Sequence, residues 1–202
     1  MPDAPTHDGI TVVTGVVLAP LAYLTLRQLG VAEDQTLTGT AICVVAHLVS
    51  GIMFSPDLDL DSAIDDRWGI FFWIWRPYTW LVPHRHFWSH GLILPPLLRL
   101  GYFYLVVVLL LSGGAWLLGQ IGIVVPDLHA RLNQTLLGLA QTYPRESWCF
   151  LAGFITGAAA HTAADWLVTG GKRYLRRIGI RITTDYSDHD RWRPRERRRA
   201  FD

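Results

Sequence analysis

Long apolar stretches with almost no charge alternate with short polar segments along the chain. A bilayer core about 30 Å thick needs about 20 mainly apolar helical residues to cross it. Stretches of that length predict four transmembrane helices, at about 10–29, 37–54, 91–125 and 147–168. The pattern therefore favours an all-α fold, a polytopic membrane bundle of about four helices.

Proline and glycine in this pattern predict where the helices bend or end. Pro20 is expected to kink the first helix, and Pro56 to end the second, because proline disfavours helix in the residue before it. Gly113 and Gly114 are expected to end the third span. Residues 116–126 then form an interfacial or re-entrant piece, with a fifth span as the alternative.

An aromatic segment, GIFFWIWRPYTWLV, lies at residues 69–82 between the second and third predicted spans. It is too short to cross a bilayer, and Arg76 and Pro77 interrupt it. Trp and Tyr prefer the level of the lipid headgroups, so the segment predicts an interfacial aromatic helix. The alternative is a stretch packed in a soluble core.

Charge is low and unevenly distributed. Charged residues make up 17% of the chain, against about 25% in soluble domains, and most arginines gather after residue 171. The Lys/Arg count predicts that the N-terminus, residues 55–90 and the C-terminus share the cytoplasmic side. We expect a membrane-embedded domain over residues 1–170 and a basic cytoplasmic tail over 171–202. Its arginines suit contact with anionic lipid, and nucleic acid is the less favoured partner.

Metal-binding residue types from four regions fall at one predicted end of the bundle: His7, Asp57, Asp59, Asp61, His84, His86, His90, His161 and Asp165. His161 and Asp165 are four residues apart and project from one helix face. Such residues are expensive in a membrane and mark function, unless they form a satisfied polar pair. Imidazole and carboxylate donors without thiolate suit a divalent ion, with zinc, manganese and iron not distinguishable. His47 lies deep in the second span and is interpreted as a core polar residue.

The acidic run that begins at Asp57 does not match a calcium loop. An EF-hand loop requires glycine at its sixth position and glutamate at its twelfth, where this chain has Ser62 and Trp68. A carboxylate cluster for another metal is the favoured interpretation. The alternative is a helix N-cap with solvated acids.

The ordered set of motifs resembles a bacterial family of metal-binding membrane proteins, best known from cyanobacteria. That family is similar to the inner-membrane metal-dependent hydrolases of the LexA-binding type. The matching segments are THD at 6–8, FSPDLD at 54–59, HRHFWSHG at 84–91 and HTAADW at 161–166. The resemblance implies these metal ligands: His7, Asp57, Asp59, His84, His90, His161 and Asp165. His86 falls where the pattern tolerates other residues.

This ligand set exceeds one tetrahedral shell, so one octahedral ion or two neighbouring divalent ions are expected. Two-metal clusters generate a hydroxide nucleophile and hold phosphoryl oxygens, which favours hydrolysis of a small-molecule or lipid phosphoester. Arg85 is the candidate catalytic residue because a guanidinium stabilises phosphate. The alternatives are a non-catalytic metal-binding membrane scaffold and an interaction protein that acts through its arginine-rich tail. The expected location is the bacterial inner membrane among lipids, with the metal site on the cytoplasmic side.

Overall fold

The computed structural model describes residues 4–54, 67–81 and 91–177, and its secondary structure is helical, with no strand in those ranges. The α-helices are α1 (Ala4–Gln28), α2 (Glu33–Met53), α3 (Arg76–Leu81), α4 (Leu94–Gln120), α5 (Leu128–Thr142) and α6 (Pro144–Arg177). A 3-10 helix, Gly69–Trp75, directly precedes α3. The all-α prediction is confirmed. The chain divides into two compact units, Met1–Asp165 and Trp166–Asp202, and the contacts described below belong to the first.

In the described parts of the chain, three helices are long and apolar enough to cross a membrane: Thr6–Gln28, Glu33–Met53 and Leu94–Gln120. They correspond to the first three predicted spans. Each carries few charged residues, and less than half of each apolar window is buried within the protein. By length and composition, the membrane prediction is therefore supported for these three helices.

The helix α6 departs from two expectations. The fourth predicted span, residues 147–168, is helical, but α6 is not among the helices that qualify as spans in the described chain. Polar residues such as His161 and Asp165 lower its hydropathy. The helix also continues through Gly170 and Gly171, where the sequence predicted its end. The predicted domain boundary after this pair stays a prediction.

A tight turn joins α1 and α2 into a hairpin, and Gly30 makes that turn. Its φ is +77°, a conformation that glycine adopts without steric cost. The N–H of Gly30 donates to the carbonyl of Arg27 at 3.0 Å, and the N–H of Val31 to that of Leu26 at 3.1 Å. This is a Schellman motif, which ends a helix and satisfies its last carbonyls. The reversal brings the start of α1 beside the end of α2.

The end of α4 lies further along the chain than predicted. The helix continues through Gly113 and Gly114 to Gln120, so residues 116–120 are not a separate piece. It ends at a second Schellman-type turn, in which Gly122 has a φ of +83°. Glycines inside a helix cost about 1 kcal/mol each, but they do not end it while φ stays negative. The predicted end at the glycine pair is therefore wrong.

The aromatic segment forms two short helical pieces, the 3-10 helix and α3, instead of one interfacial helix. Trp75 and Tyr78 are buried, and the Trp75 ring meets the Phe54 ring edge to face with centroids 5.5 Å apart. Ile70 and Trp80, in contrast, are 83% and 81% exposed. One side of the segment therefore packs into a protein core, and the other side is an exposed apolar surface.

Phe54, which follows α2, is at the centre of this aromatic core. Its ring also makes edge contacts with Trp68, Phe103 and Phe154, at centroid separations of 5.7, 5.4 and 5.3 Å. Aromatic pairs of this geometry contribute about 0.5–1.5 kcal/mol beyond the area they bury. The core therefore fixes the end of α2 against the aromatic segment, α4 and α6.

Candidate metal centre

Three predicted ligands, His7, His161 and Asp165, come together at one end of the bundle. Their donor atoms all lie within 4.8 Å of one another. His7 Nε2 is 3.4 Å from Asp165 Oδ1, and His161 Nε2 is 3.8 Å from Asp165 Oδ2. The exposed fractions are 3%, 1% and 5% for His7, His161 and Asp165. The first turn of α1 thus supplies one imidazole, and one face of α6 supplies the other two groups.

Neighbouring threonines direct their hydroxyls to carbonyls of their own helices. Thr11 Oγ1 donates to the carbonyl of His7 at 3.0 Å, and Thr162 Oγ1 donates to the carbonyl of Ala158 at 3.2 Å. The rings of His7 and His161 stack, with centroids 3.7 Å apart and planes inclined by 12°. The two rings therefore lie face to face, next to the carboxylate of Asp165.

The polar atoms of this centre are suited to a cation. Within the described residues, neither ring nitrogen of His7 and neither carboxylate oxygen of Asp165 has a hydrogen-bond partner. A buried polar group without such a partner costs about 1–3 kcal/mol. A tetrahedral ion with ligand distances near 2.1 Å places its donors about 3.4 Å apart, which matches the separation of His7 Nε2 and Asp165 Oδ1. Two imidazoles and a carboxylate fit zinc, manganese or iron, and leave coordination positions open.

The remaining predicted ligands lie outside the described residues. They are Asp57, Asp59, His84 and His90, and the candidate catalytic residue Arg85 lies outside as well. The structure brings together the three ligands that it describes. The full set of seven therefore stays a prediction.

A second buried histidine, His47, lies further along the bundle and is fully hydrogen-bonded. Its Nε2 is 3.0 Å from Thr14 Oγ1 and 3.1 Å from the carbonyl oxygen of Thr11, both on α1. Its Nδ1 is 3.1 Å from Thr156 Oγ1 on α6. The interpretation of His47 as a core polar residue agrees with this geometry. It links the two helices that carry the metal-ligand candidates.

Close approach of α2 and α6 fixes the register of these residues. A Cβ atom at Gly153 would lie 2.0 Å from the carbonyl oxygen of Cys43, and one at Gly157 would lie 2.1 Å from that of His47. Only glycine fits at such separations. The contact at Gly157 lies one helical turn before His161, so it determines how far His161 reaches toward α1.

Sequence reasoning missed two arginines that are held inside the bundle, Arg67 and Arg99. Arg67 forms an ion pair with Asp8 and donates to the carbonyl of Ile52 at 2.7 Å. Arg99, only 1% exposed, donates to the carbonyl of Phe54. Arg99 is the one charged residue of α4, and a charge within an apolar span is a signal that could have found it. Arg67 has no comparable signal, since it lies in a polar connection.

Comparison with known proteins points to the same chemistry. The model of a family described as "Uncharacterized metal-binding protein (DUF2227)" matches residues 2–175. The matched range contains every predicted metal ligand and the three donors that the structure brings together. No curated protein and no solved structure matches the chain.

Proposed function

Because the chain belongs to the family of uncharacterized metal-binding proteins described as DUF2227, we propose that it is an integral membrane protein that binds a divalent metal at His7, His161 and Asp165. One observation carries the proposal. Donors from the first and the last of the described helices lie within 4.8 Å of one another and are buried. Additional ligands are expected from residues outside the described chain: Asp57, Asp59, His84 and His90.

The reaction we propose is metal-dependent hydrolysis of a phosphoester, either a small molecule or a lipid. A divalent ion would supply a Lewis acid and an activated water at the site. His7 and His161 would hold it through neutral ring nitrogens, and Asp165 through one or both carboxylate oxygens. Arg85 would orient the phosphate by charge-assisted hydrogen bonds. The resemblance to the LexA-binding type of inner-membrane hydrolase supports this part of the proposal.

A non-catalytic metal-binding scaffold is the second candidate, and burial favours it. None of His7, His161 and Asp165 is more than 5% exposed, so the protein encloses the three donors, as it would in a site that only holds its metal. The two candidates differ in one property. A hydrolase turns over a phosphoester when loaded with metal, whereas a scaffold binds the metal without turnover.

The proposed environment is a bilayer around α1, α2 and α4. Their outward side chains include large apolar ones with high exposed fractions, such as Val16 at 68% on α1, Val45 at 58% on α2 and Leu109 at 62% on α4. Burial in lipid is the ordinary role of such surfaces on helices of this length. We propose that α6 crosses beside them, since its histidine and carboxylate turn inward and its glycines contact α2.

The proposed orientation places the metal centre and the tail on the cytoplasmic side of a bacterial inner membrane. The arginines of residues 171–202 support this orientation, and the tail is proposed to contact anionic lipid. The exposed side of the aromatic segment, which includes Ile70 and Trp80, would lie at headgroup level, where aromatic residues are enriched.

Metal analysis of detergent-purified protein by mass spectrometry tests the proposal. Wild type should carry about one or two equivalents of a transition metal. His161→Ala and Asp165→Asn should lose it, while His47→Gln, which changes a histidine outside the centre, should keep it. Folded wild type without metal under metal-replete conditions would contradict the proposal. Phosphoester turnover by loaded wild type, absent in Asp165→Asn, distinguishes the hydrolase from the scaffold.

A further inference from the structure

The last carbonyls of α2 accept hydrogen bonds from side chains of other segments. The carbonyl of Ile52 accepts from Arg67 Nη1 at 2.7 Å, and that of Met53 accepts from Trp68 Nε1 at 2.9 Å. A helix C-terminus leaves such carbonyls without intrahelical donors and carries partial negative charge. A guanidinium at this position satisfies both requirements. The end of α2 is thus fixed where the chain enters the segment that holds further predicted ligands.

Arg67 makes a second contact, which reaches the start of α1. Its Nη2 pairs with Asp8 Oδ2, while its Nη1 holds the carbonyl of Ile52. The two side chains of the ion pair are 21% and 34% exposed. Asp8 directly follows His7, one of the three gathered donors. One guanidinium therefore bridges the end of α2 and the segment that carries His7.

His7 depends on this bridge more than the other two donors do. It lies in the first turn of α1, where N–H groups have no intrahelical acceptor and helices fray. His161 and Asp165 lie well inside α6, next to the close contact of Gly157 with α2. The 3.4 Å separation of His7 from Asp165 is therefore determined by where the start of α1 is held.

We propose that Arg67 is a positioning residue for the metal centre, which it serves by holding His7 at Asp165 through its ion pair with Asp8. This inference rests on the proposed metal-binding function. Groups that orient metal ligands without touching the ion change metal affinity by about 10–100-fold when they are removed. The same ion pair gives the Asp8 carboxylate a partner other than the metal.

Titration of detergent-purified, metal-free protein with Zn²⁺ tests the inference. Arg67→Gln and Asp8→Asn should each weaken the Kd about tenfold, the lower end of the range for groups that orient ligands. The double variant should be no weaker than either single variant, because both substitutions break the same link. Arg67→Lys should recover part of the affinity, since an ammonium can pair with Asp8 but cannot hold both acceptors as a guanidinium does.

Arg27→Gln is the matched control. Arg27 also donates a guanidinium hydrogen bond to a backbone carbonyl, that of Val31 at 2.8 Å in the α1–α2 connection, but it lies at the other end of α1. Its removal should leave the Zn²⁺ affinity unchanged. Asp8→Asn breaks the ion pair but leaves the hydrogen bond from Arg67 to Ile52 in place. It therefore tests the ion pair even if Arg67→Gln has a folding defect. Melting of the metal-free variants, followed by circular dichroism, reports any such defect.

The outcomes separate the two proposals. Zn²⁺ binding by wild type with the same Kd in Arg67→Gln and Asp8→Asn overturns the role of Arg67 and leaves the proposed function intact. Losses that add in the double variant would also overturn it, because they would show two independent effects. Absence of Zn²⁺, Mn²⁺ and Fe²⁺ binding by folded wild type overturns the proposed function and this inference with it.

Discussion

The helical bundle buries histidine at two levels, and the hydrogen bonding of the imidazole ring differs between them. At the first level, His47 has both ring nitrogens within hydrogen-bond distance of partners on α1 and α6. At the second level, near the bundle end, His7 has no hydrogen-bond partner for either nitrogen within the described residues and faces the carboxylate of Asp165. Both imidazoles are almost fully buried, at 2% and 3% exposure.

The hydrogen bonds of the ring distinguish a structural histidine from a candidate metal ligand. Burial alone does not distinguish them, since both are inaccessible. At His47, threonine hydroxyls and a carbonyl are hydrogen-bond partners of the ring nitrogens, so no ligand is required. At His7, the described residues supply no hydrogen bond to the ring, and a buried polar group in that state is expensive. A cation that binds all three donors removes the penalty.

The largest expected effect, on Zn²⁺ affinity, comes from removing a donor at the second level. Asp165→Asn removes the carboxylate that faces both imidazoles, and the neutral amide is a poor metal ligand. Since losing a group that merely orients a ligand costs up to about 100-fold, the loss of Zn²⁺ affinity here should be at least about 100-fold. Isothermal titration of the detergent-purified variant measures it. An unchanged Kd would remove Asp165 from the centre.

A methyl group between the helices should produce the next largest effect. In Gly157→Ala the new Cβ would lie 2.1 Å from the carbonyl oxygen of His47, so α2 and α6 must separate. Overpacking of this kind costs about 1–3 kcal/mol of unfolding free energy, and it should weaken metal binding by moving His161. Gly113→Ala is the control, because nothing lies within 4 Å of its Cβ position, and it should be neutral or slightly stabilising. Thermal unfolding in detergent compares the two variants, and equal midpoints would contradict close helix contact.

A smaller effect is expected at the first level. His47→Leu removes the hydrogen bonds of the ring, but Thr14 keeps the carbonyl of Ile10 at 2.8 Å and Thr156 keeps that of Gly153 at 3.0 Å. Hydrogen bonds between membrane helices contribute about 0.6 kcal/mol each, so the unfolding free energy should fall by about 1 kcal/mol. Metal content should not change. Loss of metal in folded His47→Leu protein would mean that the two levels are not distinct.

The smallest effect is expected from the tail. Removal of residues 191–202 should leave the metal content unchanged, because no predicted ligand lies there. Binding to vesicles that contain anionic lipid should decrease, since each arginine near such a surface contributes about 1 kcal/mol. Metal analysis and vesicle flotation measure the two properties. A truncated protein without metal would place part of the site in the tail.

The sequence predicted those features that depend on local pattern. Apolar runs located the helices, and a spacing of four put His161 and Asp165 on one face of α6. The placement of His7 at the same end followed from the alternating direction of successive spans. The pattern also predicted a span at residues 147–168, but the helix found there, α6, does not qualify as one in the described chain, because inward polar residues such as His161 and Asp165 lower its average hydropathy.

Features that depend on tertiary contacts could not be predicted from the sequence. The glycine pair at Gly113 looked like a helix end, yet the end requires positive φ, which occurs at Gly122. Pairing of Arg67 with Asp8 joins residues far apart in the chain, and nothing in their local patterns marks them as partners. The inner side of the aromatic segment was likewise decided by what it meets, the ring of Phe54, and not by its composition.

Zn²⁺-dependent thermal unfolding of detergent-purified protein tests most directly whether the three donors form a metal centre. A ligand that binds only the folded state at a hundred times its Kd raises the unfolding free energy by about 2.7 kcal/mol. We expect this rise in unfolding free energy for wild type and for His47→Leu, and none for Asp165→Asn. The same rise in Asp165→Asn, or no rise in folded wild type, would contradict this expectation.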